Sequence, residues 1–556
     1  MKKVCLTLLL PFALVKAYAQ NLDQKVEVTN AYISSAGTLM KVEQPLSVPD
    51  SVTHFDYRFD YDAFETPYKG AYEFKPYLVR LHPQPSVPGV KRLYLRADAG
   101  WTLHPSLHAL WTPVDSSRYS VTVYNDFDGY YGRWQNLVKG LLPDGTSSWG
   151  YAFSESFGAS AASRFKTMNL SAKAGYDGLF ADGLLNGGPG TGFHSAALQV
   201  GLSGHEDQPF PWKADVDYRY GYDALGAGNF LHVNSLKAGG SFTAQFKRRY
   251  FLYVDLLADM EFYSGTAAGG YRMHFDVTPY GMLYYGNWDL RLGLRLAYAF
   301  NHGTDPGRFR VFPSCEAAFN VPSASLRLFA GADGGYDADR YIDRKRWDPH
   351  YNAGWALPEC TAKTVDAYAG VQGGIGKHFH YGLRGGYARY VHRPFASAMD
   401  WYAGFLNGGA GIPGIVYATA AEGYVSLKLN WDADWLDVDG GLEFRHLTEK
   451  ISTEALAPPM FSGSLRAVYN YRRRVYAGLW FEGETARATT MTGFYEPVEV
   501  KIPGWADLGV MLEYRLTPSW GLRFQAGNLL GSPLRKYSPY FAETGRSFTL
   551  GLTLIL

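Results

Sequence analysis

Apolar and polar residues alternate along most of this chain. The last twelve residues show the pattern most simply: Phe548, Leu550, Leu552, Leu554 and Leu556 fall on one face, and Ser547, Thr549, Gly551 and Thr553 on the other. A period of two belongs to a β-strand. An apolar face backed by small polar residues predicts a strand with different solvents on its two sides.

From about Arg92 onward, strand-like runs of roughly 10 to 15 residues recur, the length a tilted membrane strand needs. In 288–300, Trp288, Leu290, Leu292, Leu294, Leu296, Tyr298 and Phe300 oppose Asp289, Arg291, Gly293 and Arg295. In 435–446, Leu436, Val438, Leu442 and Phe444 oppose Asp437, Asp439, Glu443 and Arg445. In 506–516, Ala506, Leu508, Val510, Leu512, Tyr514 and Leu516 oppose Asp507, Glu513 and Arg515. In 250–262, Leu252, Val254, Leu256, Ala258 and Met260 oppose Asp255, Asp259 and Glu261. Charges confined to one face suit a barrel lumen and exclude that face from lipid.

Connections alternate as well. Tight turns are expected near Lys247-Arg248, Gly286-Asn287, Val321-Pro322, Lys377-His378, Asp432-Ala433, Arg472-Arg473 and Thr517-Pro518. Long ones are expected over about 301–308, 336–363, 393–414, 449–460, 489–502 and 531–544. Short turns on one side and long loops on the other define the periplasmic and extracellular ends of an outer-membrane barrel. The pattern yields about 21 strands, but bacterial single-chain barrels have an even number. The discrepancy lies between about 112 and 192, where 128–163 falls as a long stretch on the short-turn side: either a strand there is missed or one near the start is false. The expected fold is an all-β, transmembrane antiparallel β-barrel of about 18 to 22 strands.

The N-terminal end of the chain adds a leader and an arm. Lys2 and Lys3, the short apolar run Val4–Val15 and the Ala17-Tyr18-Ala19 cleavage signal make residues 1–19 a signal peptide. Residues 20–90 are polar and rich in proline (Pro45, Pro49, Pro67, Pro76, Pro83, Pro85, Pro88), which argues for an extended periplasmic arm. Part of this arm is placed to enter the lumen. Residues 91–556 form the barrel domain.

Composition fits this architecture. No segment has the roughly 18 to 20 continuous apolar residues of a transmembrane helix. Aromatics make up 16% of the chain, with 42 Tyr and 62 Gly, as expected where Tyr and Trp collect at membrane interfaces. A formal charge of +1 gives no argument for a nucleic-acid partner. Cys315 and Cys360 remain after leader removal, either as one bridge near the outer rim or as two unpaired thiols.

The C-terminal sequence is more specific. Phe524-Gln525-Ala526-Gly527-Asn528-Leu529-Leu530-Gly531, followed by Gly545-Arg546-Ser547-Phe548, resembles the last two strands of TonB-dependent receptors, with Asn-Leu ending one strand and Gly-Arg-x-Phe opening the next. The lead-in Lys25-Val26-Glu27-Val28-Thr29-Asn30-Ala31-Tyr32 resembles that of plugless, receptor-like barrels of the Bacteroidota. Two features depart from the family. Only about 70 residues precede the first strand, too few for a plug that needs roughly 100 to bury a core, and the plug's glycine-rich motifs are absent. The chain ends in Leu556 where many outer-membrane proteins end in Phe; an apolar residue there preserves the lipid-facing character. Lys25–Thr29 superficially resembles a TonB box.

No catalytic motif is present: G-x-S-x-G, H-E-x-x-H and the P-loop are all missing, so neither enzyme activity nor a cofactor is expected. His378 and His380 are two ligands at most, too few for a metal site. Candidate lumen-lining residues are Asp289, Arg291, Arg295, Asp437, Asp439, Glu443, Arg445, Glu482, Glu484, Glu513 and Arg515. They serve either a solute path or a purely structural charge network. Trp347, Trp355, Trp401 and Tyr402 are candidate extracellular-loop contacts for sugars or protein partners, or else pack the loops. Arg472-Arg473-Arg474 forms a basic periplasmic turn, suited to lipid phosphates or simply solvated. The expected functions are solute passage through the outer membrane or membership of an envelope complex. The alternatives are a structural or assembly subunit, in which residues 20–90 dock a periplasmic or lipoprotein partner, and, last, an outer-membrane enzyme.

Overall fold

The computed structural model describes residues 92–556, apart from 117, 137–146, 183–189, 206–209, 227, 247–249, 302–307, 323–324, 352–356, 398–413, 450, 452–454, 493–496 and 536–540. The expectations for the leader, the arm and Lys25–Thr29 lie outside the described residues, as do those for Trp355, Trp401, Tyr402 and the Lys247-Arg248 turn.

Among the described residues, twenty-five strands follow one another. They are β1 (Leu93–Trp101), β2 (Ser106–Asp115), β3 (Tyr119–Asn136), β4 (Ser147–Arg164), β5 (Met168–Ala181), β6 (Thr191–Gly204), β7 (Trp212–Gly226), β8 (Asn229–Phe246), β9 (Tyr250–Gly265), β10 (Gly270–Tyr285), β11 (Trp288–Asn301), β12 (Arg308–Asn320) and β13 (Leu326–Ala338). After a short helix, α1 (Tyr341–Trp347), come β14 (Cys360–Ile375), β15 (Phe379–Ser397), β16 (Gly414–Ala433), β17 (Leu436–Leu447), β18 (Phe461–Tyr471), β19 (Val475–Glu484), β20 (Arg487–Thr492), β21 (Pro497–Ile502), β22 (Trp505–Arg515), β23 (Trp520–Gly527), β24 (Phe541–Glu543) and β25 (Ser547–Ile555).

Consecutive strands pair antiparallel, and 22 of them close into a barrel when β25 pairs with β1. Leu93 and Leu556 seal the seam, each N–H donating to the other's carbonyl, at 2.9 and 2.8 Å. Closure leaves no open barrel edge, which a membrane requires because lipid offers no hydrogen-bonding partner. The remaining strands lie beside the barrel: β24 is a three-residue addition to β3, and β20 and β21 form a separate hairpin.

The strand missing from the sequence pattern is now located. Residues 119–136 and 147–164 form two long strands, β3 and β4, so most of 128–163 is sheet and the parity becomes even. Small residues such as Ala159, Ala161 and Ala162 blur the alternation there. The long 489–502 connection likewise contains strand, most of the β20–β21 hairpin.

Directly paired residues share a sheet face, so the face can be followed around the barrel. Thr553 pairs with Arg96, Arg96 with His108, His108 with Asp126, Asp126 with Ser156, and Ser156 with Asp177. The same face carries Arg272, Asp289, Arg291, Glu316, Tyr368, Tyr424, Arg445, Glu513 and Arg523. The opposite face is apolar and exposed, with Leu292 at 66%, Leu550 at 62% and Leu552 at 52%. Lipid accepts only the second face, so the charged one turns inward. Cys315 lies on the outward face and Cys360 is buried at the start of β14; both are free thiols.

Candidate functional site

The β13–β14 connection carries the sequence Asp339-Arg340-Tyr341-Ile342-Asp343-Arg344-Lys345-Arg346-Trp347-Asp348. Asp343 falls in the first turn of α1 and Arg344, Lys345 and Arg346 in the last, the arrangement the helix dipole favours. The helix has no side-chain cap of its own. Its first free N–H, on Tyr341, instead donates to the Glu261 carboxylate of β9, 3.2–3.3 Å away. The barrel wall therefore supplies the cap, and isolated α1 is too short to be a stable helix.

Docking buries both apolar and charged groups. Tyr341 and Ile342 pack in a cluster with Leu179, Phe193, Leu231, Val233, Tyr263 and Tyr351. These wall residues come from β5, β6, β8 and β9, several strands around the barrel from β13. At roughly 4.8 Å per strand, the loop crosses part of the barrel interior rather than hanging over its own strands.

The charged contacts form a basic-on-acidic clasp. Lys345 Nζ lies 2.8 Å from Asp223 Oδ2, with both side chains 0% exposed. Arg340 reaches Asp217 at 3.1 Å and Asp259 at 3.8 Å, and Arg346 reaches Asp177 at 3.0 Å. The Tyr341 hydroxyl donates to Asp223, and the Thr191 hydroxyl donates to the Pro349 carbonyl at 2.9 Å. Beneath the helix, Arg272 is fully buried between Asp259, at 3.1 Å, and Glu261, at 3.3 Å. At the far end of the loop, Glu359 pairs with His392, whose ring stacks on Tyr417 with centroids 4.5 Å apart. His350 sits in the buried part of the loop, where burial and the nearby Lys345 charge push its pKa down to about 3.

All eleven residues read from the sequence lie on the inward face, in groups around the wall. On β11, Asp289 accepts from Asn320 at 2.9 Å, Arg291 lies over the Tyr280 ring at 4.1 Å, and Arg295 donates to Thr278 at 3.4 Å. On β17, Asp437 faces Asp432 across the ladder, Asp439 accepts from Asn430 at 2.7 Å, and Glu443 pairs with Arg445 at 2.7 Å. On β19, Glu482 faces Ser464 and Asp507 across the ladder, and Glu484 holds Arg487 at 2.9 Å and Arg535 at 3.2 Å. On β22, Glu513 pairs with Arg515 at 3.3 Å. Trp347 ends α1 and is 43% exposed.

The sequence pattern had set Asp255, Asp259 and Glu261 on the inward face. It had not singled out Asp177, Asp217, Asp223 or Arg272 as site residues, nor the 344–346 basic run. The available signal was complementarity: three consecutive cations in a loop, and acidic residues spaced along β7 and β9.

No family model and no curated protein matches the chain by sequence. Its fold does match solved structures. The siderophore receptor PirA of Acinetobacter baumannii superposes with a TM-score of 0.61 at 10% identity, covering 84% of this chain and 80% of that one. The FrpB iron transporter of Neisseria meningitidis gives 0.62 at 10% identity, covering 84% and 82%. The ferric enterobactin receptor PfeA of Pseudomonas aeruginosa, as a double mutant, gives 0.58 at 13% identity, covering 84% and 80%. The barrel thus has the fold of TonB-dependent receptor barrels.

Proposed function

We propose that this chain is an outer-membrane barrel for solute uptake, in which the 339–351 loop forms the constriction. One observation carries the reading: a loop from one part of the wall is clasped to another part, several strands away, by ion pairs of which Lys345–Asp223 is fully buried. An empty lumen needs no such device. In this reading the short-turn end faces the periplasm, the eleven charged residues line the solute path, and the inward loop narrows the barrel where other members of the fold use a plug. Energisation by TonB through Lys25–Thr29 is a further part of the proposal. It is excluded if Val26→Pro with Val28→Pro leaves uptake at the wild-type level.

The test is ion conductance of the full chain in planar bilayers. The wild type should conduct weakly, and the triple variant Arg340→Gln, Lys345→Gln, Arg346→Gln should conduct more. Equal silence from both defeats the proposal.

A second reading, as a subunit of an envelope complex, rests on the β20–β21 hairpin. Among the described residues this sheet pairs with no barrel strand, and an unpaired strand edge is where a partner strand could add. Stoichiometric co-purification of a partner, lost on deleting 487–502, is the expected result; recovery of the bare chain counts against it.

A further inference from the structure

A second feature of the inward face lies towards the short-turn end. A cavity of about 300 Å³ opens between Tyr253, Tyr280, Asp289, Arg291, Glu316 and Arg327 on β9–β13. Along β10, Tyr280 stands eight residues beyond Arg272 of the clasp, roughly 26 Å at 3.3 Å per residue. A solute that passes the loop therefore meets this wall next.

The lining is tightly ordered. Tyr253 and Tyr280 stack with centroids 4.8 Å apart and planes 5° from parallel, and Arg291 covers the column at 4.1 Å. Glu316 is held by Arg327 at 3.0 Å and by the Tyr368 hydroxyl at 2.8 Å. Tyr253, Tyr280, Arg291 and Glu316 are each only partly buried, so they face the opening. The volume is at the small end of the range for small-molecule sites.

We infer that this cavity binds a small neutral, polyhydroxylated solute of the saccharide class, an inference that rests on the solute-passage reading. The charge pattern selects the class. Asp289, Arg291, Glu316 and Arg327 place both signs around one opening, and the Glu316–Arg327 pair is already closed. A charged ligand would meet attraction and repulsion together and gain little to offset its desolvation. A hydroxyl both donates and accepts, so it can add to the spare carboxylate lone pairs and guanidinium N–H groups without breaking the pairs. The tyrosine column supplies apolar surface for the C–H faces of such a ligand.

The test uses the detergent-purified full chain, with calorimetric titration of sucrose, maltotriose, triglycine and citrate. The sugars should bind, and triglycine and citrate should not. Arg291→Gln should weaken sugar binding about tenfold, as expected for loss of a charge-assisted hydrogen bond. Met282→Trp, which fills the cavity from its lining, should abolish binding. Heat-modifiable gel mobility verifies that each variant has closed. Sugar binding unchanged in both variants, no sugar binding at all, or tighter binding of triglycine or citrate overturns the inference. Conductance without sugar binding removes this inference alone; sugar binding without conductance removes the passage reading alone.

Discussion

The Lys345 ammonium and the Asp223 carboxylate meet at 2.8 Å with no solvent exposure on either side. Removing one member of such a pair leaves the other charge buried and costs about 3–5 kcal/mol, whereas replacing both with apolar groups is often tolerated. Lys345→Met should therefore undock the loop, seen as faster hydrogen exchange over 339–351 and cleavage by trypsin at Arg344. Lys345→Met with Asp223→Leu should restore much of the protection. Equal protection in wild type and Lys345→Met would show that the pair does not hold the loop.

Acid should loosen the same loop. Burial and Lys345 hold the docked His350 pKa at about 3, below its ordinary 6.5. A depressed histidine pKa means that the undocked state binds the proton first. Docking is therefore intact above about pH 6.5 and weakens as pH falls towards 3, by up to about tenfold per unit. Around His350, its own N–H donates to Asp348 at 3.0 Å, and Lys345 donates to the adjacent Pro349 carbonyl at 3.1 Å. His350→Phe should flatten the pH dependence of conductance between 4 and 6.5. An unchanged profile would assign that dependence to other groups.

The closing strand separates its two solvents residue by residue. Leu552 points outward, and Leu552→Arg places a charge in lipid at a cost of about 2–4 kcal/mol near the midplane. Leu552→Phe should be neutral. The readout is the fraction of folded, heat-modifiable barrel after refolding into vesicles, which should fall only for the arginine variant.

On the inward side of the same strand, the constraint is space. A Cβ on Gly551 would overlap Asp98 Oδ1, and Asp98 is fixed by Arg96 at 3.0 Å and Ser106 at 3.2 Å. Gly551→Val should impair β1–β25 closure. Asp98→Gly in the same chain should recover part of the folded yield, and failure of that rescue would place the defect elsewhere.

Local order was readable where residues alternate cleanly. β11, β17, β22 and β25 stand where the sequence placed them, because lipid on one side and charge on the other impose a strict period of two. The pattern weakened at β4, where Ala, Ser and Gly replace large apolar residues, and so one strand was missed. The charged residues of β11, β17, β19 and β22 were readable as one face, but not the partners each would find.

By itself, then, the sequence determined the barrel, the inward and outward faces and the alternating connections. These follow from neighbours two residues apart, a distance at which the pattern is local. The tertiary structure alone decided that the 339–351 loop folds inward, that Glu261 caps its helix and that Lys345 finds Asp223. The loop is polar and its helix is shorter than any that is stable alone, so nothing local dictates its place. Only the closed wall brings four carboxylates from β5, β7 and β9 close enough to hold its cations.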